Sequence, residues 1–275
     1  YTNTLLNYRR SVIIFLEICN LGAYMYPILF ALGSFSFRTS YLFILLGAFF
    51  GILVGLKETK RVGFPMGTFR LYWIIILPLA LLFSLSDKFI FNNSFFYSFQ
   101  NLEILLSFGL VSSFGVIWRM LLLGYLIAKW KRENSALLLD LISLTIPLSL
   151  GIYRIGCLLN GCCYGLETDS FWGIFLPGHS GIWANRYPTQ IWLLLFNFML
   201  FGWLWSRRKS KSFDGHLTLS YLILFSLGRL LIDAFRELPD VLSVFNLPQI
   251  MAITPLLIAL YIYLEINLSK RSKIV

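Results

Sequence analysis

Long apolar runs separated by short basic clusters are the feature that most restricts this chain. Basic residues gather at Lys57, Lys60, Arg61 and Arg70; at Lys129, Lys131 and Arg132; at Arg207, Arg208, Lys209 and Lys211; and at Lys270, Arg271 and Lys273. Between the clusters lie apolar runs of roughly 17–22 residues, the length a helix needs to cross the hydrocarbon core of a bilayer. With 58% hydrophobic and only 13% charged residues, the chain cannot coat itself as a water-soluble domain does, since such domains carry about 25% charged residues. The net charge of +10 is then the charge of cytoplasmic loops, and nucleic acid is not the expected partner.

The runs predict spans near 40–57, 70–86, 105–128, 136–153, 189–206, 216–235 and 249–267. Placing every basic cluster inside gives an all-α integral membrane protein with about seven transmembrane helices, N-terminus outside and C-terminus cytoplasmic. We read residues 1–275 as a single polytopic domain with an N-terminal arm over 1–38 and an outer-face loop over 166–187. Residues 11–35 are apolar but interrupted by Glu17, Asn20, Gly22 and Pro27. They read as an outer interfacial helix followed by an irregular segment, with an additional span as the alternative. A cleaved signal peptide fits less well, because no small-x-small site follows the run. The outer loop, with Phe171-Trp172-Gly173-Ile174-Phe175-Leu176-Pro177-Gly178, is expected to form a short strand or turn on the membrane surface.

Charges inside spans are costly and default to functional hypotheses. Arg154 ends the fourth span. Arg229, Asp233 and Arg236 lie on one face of the sixth, being separated by about one and two helical turns. Gln190 opens the fifth, just after Arg186. The guanidinium fork matches phosphate geometry, so this layer suits a phospholipid headgroup; snorkelling or pairing with Asp233, Glu237 and Asp240 is the bland alternative. Arg119 and Asp140, inside the third and fourth spans, are expected to pair across antiparallel neighbours.

The stretch Tyr153-Arg154-Ile155-Gly156-Cys157-Leu158-Leu159-Asn160-Gly161-Cys162-Cys163-Tyr164-Gly165 holds three of the four cysteines; Cys19 stands alone. The C-x4-C-C spacing lacks the second ligand pair of a structural zinc site, so no metal is expected. A disulfide from Cys157 to Cys162 or Cys163 stays open on an oxidising face. A reactive thiol at Cys157 or Cys162 is a weaker candidate, because Arg154 supplies a positive field but no general base lies nearby beyond His179. Gly156, Asn160, Gly161 and Gly165 read instead as a binding loop whose backbone approaches a ligand closely.

These residues resemble a known family. Asp140, Pro147, Gly151, Arg154-Ile155-Gly156, Asn160-Gly161 and Gly165 are similar to the signature of prolipoprotein diacylglyceryl transferases, whose central part runs G-R-x-G-N-F-x-N-x-E-x-x-G. Tyr187-Pro188-Thr189-Gln190 resembles the family's H-P-[ST]-Q-L-Y-E. Gly228-Arg229 through Asp233, Arg236, Pro239 and Asp240 resembles its G-R-x3-E-x2-R-x-P-D, with one extra residue before the proline. Leu32-Gly33 after Pro27 and Gln249 at the start of the last span match in order. The resemblance covers most of the chain.

It implies transfer of the diacylglyceryl group of phosphatidylglycerol to the lipobox cysteine thiol of a prolipoprotein, at the outer face of a bacterial cytoplasmic (inner) membrane. Glycerol 1-phosphate leaves, and no organic cofactor is needed. Phosphatidylglycerol, the bilayer and a lipobox prolipoprotein are the implied partners, with a further protein partner left open. Arg154 and Arg229 take the catalytic positions; Gly156, Asn160, Gly161, Gln190, Asp233 and Arg236 take substrate-binding ones. The departures are specific. The family's H-G-G falls on Ser113-Phe114-Gly115, so its histidine is absent. The tyrosine-glycine of its first motif falls on Ser40-Tyr41. Cys157 and Cys162 stand for its asparagine and glutamate, and the glutamate of Q-L-Y-E is missing. Ser113 and His179 are therefore weak candidates for the lost proton acceptor. A non-catalytic phospholipid-binding paralogue or partner subunit is the alternative reading. A transporter ranks last, since no inverted repeat is visible.

Overall fold

The computed structural model describes residues 28–32, 35–91, 113–177, 183–236, 240–242 and 245–272. Seven helices form among them: α1 (Thr39–Val62), α2 (Met66–Phe91), α3 (Ser113–Lys131), α4 (Ser135–Leu159), α5 (Thr189–Arg207), α6 (His216–Asp233) and α7 (Leu247–Ser272). Each expected span falls on one of them. The first part of the third span, from 105 to 112, lies outside the described residues. Four whole helices, α1, α4, α5 and α6, and the stretch Gln249–Ile266 of α7 are long and apolar enough to cross a membrane.

Three two-stranded antiparallel hairpins accompany the helices: β1 (Ile28–Leu32) with β2 (Phe35–Arg38), β3 (Ile174–Pro177) with β4 (Trp183–Arg186), and β5 (Asp240–Leu242) with β6 (Phe245–Asn246). The first corrects the sequence reading. Residues 28–32 and 35–38, where the 11–35 segment was expected to end irregularly within the 1–38 arm, pair Leu32 with Phe35 and Ile28 with Arg38; branched and aromatic residues flank a Gly-Ser pair in the sequence, a composition that favours a tight hairpin over a helix. The interfacial helix expected further upstream lies outside the described residues. The second hairpin is the strand expected in the 166–187 loop.

Helix α4 is the hub, packed by α1, α3, α5 and α6. Its start is fixed by Asn134, whose side chain accepts a hydrogen bond from the Leu137 N–H, satisfying one donor of the first turn. Helix α1 approaches it along Gly47, Gly51 and Gly55. A Cβ at Gly47 would lie 2.6 Å from the Ser149 carbonyl oxygen, and the Ser149 hydroxyl donates to the Gly47 carbonyl at 2.7 Å. Small residues that let backbones meet are how helices associate where no hydrophobic force separates protein from solvent. The distribution of polarity is inverted in the same sense. Leu45, Phe49, Phe50, Met199, Leu257, Tyr261 and Leu264 are exposed, while Thr145, Ser143, Asn197 and Ser226 are buried.

Polar residues collect in two clusters, one beside the basic loops and one around the ends of α4 and α6. At the basic end, Asp140 accepts from Lys211 Nζ (3.2 Å), Gly215 N (3.0 Å), Thr218 N (2.9 Å) and Thr218 Oγ1 (3.0 Å). Beside it Glu58 bridges Arg61 (2.5 Å) and Arg208 (3.4 Å), and Arg208 lies over the Trp205 ring. The expected pairing of Asp140 with Arg119 is thereby corrected. Asp140 sits one turn and a half into α4, level with the loop before α6, whereas Arg119 donates its Nε–H to the Gly115 carbonyl of its own helix (3.0 Å).

Candidate active site

The opposite end is built around two buried arginines on different helices. Arg154, in the last two turns of α4, is 3% exposed, and Arg229, in the last turn and a half of α6, is 2% exposed. Each guanidinium lies within the electrostatic reach of the other. Asp233, fully buried and one turn after Arg229, receives Arg229 Nε at 2.8 Å and Nη2 at 2.7 Å. Arg236 approaches the same carboxylate at 3.8 Å, and its charge also reaches Arg229. Three guanidiniums thus share the field of one carboxylate, and as a set these four residues carry a formal +2. The planar fork of a guanidinium matches the geometry of phosphate or carboxylate.

The layer is walled by segments stitched together through their backbones. Gly165 N donates to the Tyr187 carbonyl (2.9 Å), Tyr187 N to the Leu166 carbonyl (3.0 Å), Leu166 N to the Phe235 carbonyl (2.9 Å) and Thr168 N to the Asn185 carbonyl (2.9 Å). Gly165 is needed for this seam: a Cβ there would come within 2.6 Å of the Phe235 carbonyl oxygen and 2.7 Å of Tyr187. Tyr187, Trp192 and Phe235 pack their rings on one another. Arg186, which no motif singled out, is 3% exposed; it bonds Glu167 at 2.6 Å and lies over the Tyr164 ring at 4.8 Å.

The loop after α4 is held from the first turn of α5. Thr189 Oγ1 donates to the Cys163 carbonyl (2.8 Å) and Gln190 Nε2 to the Cys162 carbonyl (2.9 Å). Gln190, expected at the substrate, holds the loop through its amide N–H in this structure. Thr189, missed as a functional residue, sits next to it in the same Tyr187-Pro188-Thr189-Gln190 motif, which was the available signal. Asn160 is the C-cap of α4, donating its backbone N–H to Gly156. Gly161 turns the chain with φ +65°, a conformation that favours glycine.

One sequence expectation changes here. Gly156 lies inside α4, where a Cβ would stand 2.8 Å from Phe43 Cβ and 3.1 Å from Ser40 Cα; it admits α1 and does not shape the loop. Asp233, also expected at the substrate, has its carboxylate engaged by Arg229 and orients that arginine. Ser113 opens α3, and the next residue, Phe114, has Arg229 Cζ 5.6 Å from its ring centre. The segment where the family carries histidine is therefore beside the arginine layer. His179 lies outside the described residues.

Cys157, Cys162 and Cys163 are free thiols, so the disulfide left open by the sequence is not formed. Their sulfurs lie within 4.8 Å of one another. Cys157 is buried in α4, with Arg154 Nη1 3.7 Å from its sulfur. Hydrogen bonds from Cys157 and Cys162, with the charges of Arg236 and Arg154 adding to them, hold the Cys163 thiol well below its ordinary value; its hydrogen bonds to Cys157 and Cys163 push the Cys162 thiol up.

The sequence profile of the family described as prolipoprotein diacylglyceryl transferase matches residues 27–265. The chain belongs to this family. Among its relatives is the phosphatidylglycerol–prolipoprotein diacylglyceryl transferase of Clostridioides difficile (strain 630), 29% identical over 82% of this chain and 89% of that one. The protein of the same name from Desulfotalea psychrophila (strain LSv54 / DSM 12343) is 31% identical over 78% of this chain and 81% of its own. The transferase 2 of Clostridium perfringens (strain 13 / Type A) is 40% identical over 41% of this chain and 46% of its own. Arg154, Gln190, Arg229 and Asp233, which the family's motifs selected along the sequence, lie at the same end of the helical bundle as the arginine layer and its loop.

Proposed function

We propose that this chain transfers the diacylglyceryl group of phosphatidylglycerol to the thiol of a lipobox cysteine in a prolipoprotein. The observation that carries this reading is the pair of buried guanidiniums, Arg154 and Arg229, on neighbouring elements with Asp233 holding one of them. In the reaction a C–S bond forms at the glycerol carbon, the C–O bond to phosphorus breaks, and glycerol 1-phosphate leaves with the electron pair. The thiol proton passes to solvent or to the departing phosphate. Negative charge grows on that phosphate, and donors already fixed around its position stabilise the transition state without reorganising. Arg154 binds the headgroup phosphate, Arg229 meets the growing charge, and Arg236 adds to the field. Thr189 and Gln190 keep the loop closed over the site.

The orientation follows from the same assignment. The basic end faces the cytoplasm, all seven helices span, the N-terminus lies outside, and the arginine layer sits at headgroup depth in the outer leaflet of the cytoplasmic membrane. Exposed Phe171, Trp172 and Phe175 near the β3–β4 hairpin suit that interface, where aromatic rings concentrate. A thiol of ordinary pKa near 8.5 is already partly ionised at neutral pH, so loss of the family histidine slows the reaction without forbidding it.

The test is expression in cells depleted of their own diacylglyceryl transferase, with mass spectrometry of a lipobox peptide. Lipid on the cysteine, lost on Arg154→Ala or Arg229→Ala, supports the reading. No transfer by a folded protein that still copurifies with phosphatidylglycerol overturns it in favour of a lipid-binding paralogue.

A further inference from the structure

We propose that Cys157, Cys162 and Cys163 form a three-thiolate site for one soft divalent cation, zinc in the cell, with its fourth position open beside Arg154. Three free thiols already lie with their sulfurs inside 4.8 Å of one another. A tetrahedral zinc ion with Zn–S bonds of about 2.3 Å requires sulfurs about 3.8 Å apart. Rotation of the two half-buried side chains supplies the remaining ångström; Cys157, rigid in α4, is the fixed ligand.

The backbone is arranged to this end. Adjacent residues in extended or helical chain direct their side chains apart, yet Cys162 and Cys163 both reach Cys157. Cys163 holds φ +66°, a left-handed conformation that costs a non-glycine residue about 1–3 kcal/mol and persists only where the surroundings impose it. Those surroundings are visible: Thr189 and Gln190 hold the carbonyls of Cys163 and Cys162.

Binding is balanced in charge. Three S–H bonds break, three Zn–S bonds form and three protons pass to water, leaving a complex of charge −1. Arg154, 3.7 Å from the Cys157 sulfur, and Arg236, whose field reaches Cys163, compensate it. Among the described residues no histidine or carboxylate joins the three sulfurs, so the site has three protein ligands and an open position, the pattern of reactive and not structural zinc. Resting on the transferase reading, that position takes the acceptor thiol, which gives its proton to water and binds as thiolate. The metal then does at this end what the missing histidine does in the family.

The experiment measures metal on the purified full chain, in detergent and under reducing conditions, and then titrates the metal-free protein with Co²⁺. We expect about one zinc ion per chain, and a sulfur-to-cobalt charge-transfer band with intense tetrahedral visible bands. Cys162→Ser and Cys163→Ser lose the band while the thermal midpoint shows a folded protein; Cys19→Ser keeps it. Sub-stoichiometric zinc with no cobalt–thiolate band, or thiol titration showing two of the three consumed in a disulfide, overturns the site. Adding a lipobox cysteine peptide to the cobalt protein shifts the visible bands if the open position takes the acceptor, and a serine-for-cysteine peptide does not. An unshifted spectrum overturns that role. The metal measurements stand even where the transfer assay fails, so the two failures are distinguishable.

Discussion

The two polar ends of the helical bundle hold buried charge in contrasting ways. At the basic end one carboxylate, Asp140, is met by four donors from Lys211, Gly215 and Thr218, and Glu58 is met by two arginines. Each of these two buried carboxylates has a cation beside it within the fold. At the other end Arg154, Arg229 and Arg236 gather around the carboxylate of Asp233. The first arrangement fixes helices α4 and α6 and the loop before α6. The second leaves these four residues with a formal +2 near the ends of α4 and α6. The contrast teaches how to separate a structural charge from a functional one: the structural one is closed by its neighbours, while the functional one is oriented by a neighbour and still faces a site.

Substitutions can break that comparison. The largest effect is expected at Asp140. Asp140→Ala takes one of two carboxylates from the Lys211 ammonium, which keeps Asp214, and leaves the three donors of Gly215 and Thr218 without this acceptor; removing one partner of a buried pair costs about 3–5 kcal/mol. The thermal midpoint in detergent should fall sharply, while transfer per folded molecule is kept. At the arginine end the currency is reversed. Arg154→Ala and Arg229→Ala should each lower transfer by about 10²–10³-fold, or about 2.7–4 kcal/mol in the transition state; Arg229→Ala also strands the buried Asp233 carboxylate and lowers the midpoint, so its transfer is read per folded molecule. Arg154→Lys keeps the charge but not the fork, so it should recover only part of the loss.

Smaller effects sharpen the picture. Thr189→Val removes the hydrogen bond to the Cys163 carbonyl, a contribution of about 1 kcal/mol. Faster alkylation of Cys162 and Cys163 would report the loosened loop. The smallest effect is at Asp214, beside the basic end. Its hydrogen bond from Lys211, with the charge of Lys211 and a bond from Asn134 adding, holds its carboxyl below the usual range. A depressed carboxyl stabilises the fold above its unfolded pKa, and the contribution is lost as pH falls through the folded value. Asp214→Asn should therefore flatten the acid side of the stability profile slightly and leave transfer unchanged.

Much of this was legible in the sequence because it depends on short-range pattern. Apolar runs of spanning length gave the helices, and basic clusters marked which ends lie together. The i, i+4 spacing put Arg229 and Asp233 on one face, and glycine at 161 announced a turn. The rest depends on contacts between distant positions. Asp140 finds Lys211, 71 residues away, and no local pattern distinguishes that partner from Arg119. Gly156 looked like part of a loop because it sits among loop residues, but α4 continues to Leu159 and the glycine serves α1. The meeting of three sulfurs rests on one left-handed residue, Cys163, where nothing in C-x4-C-C announces it; counting ligand spacing along the chain misses a site made by a backbone reversal.

The central claim is that the buried arginines at one end act on the phosphate of a lipid, and the carboxylates at the other act only on the fold. Purified protein in vesicles containing phosphatidylglycerol labelled in its acyl chains, given a lipobox cysteine peptide, tests it directly. The account predicts label on the peptide with the natural chain, label in proportion to the folded fraction with Asp140→Ala, and almost none with folded Arg154→Ala. Label at the natural rate with both Arg154→Ala and Arg229→Ala, or equal loss per folded molecule at both ends, would contradict it.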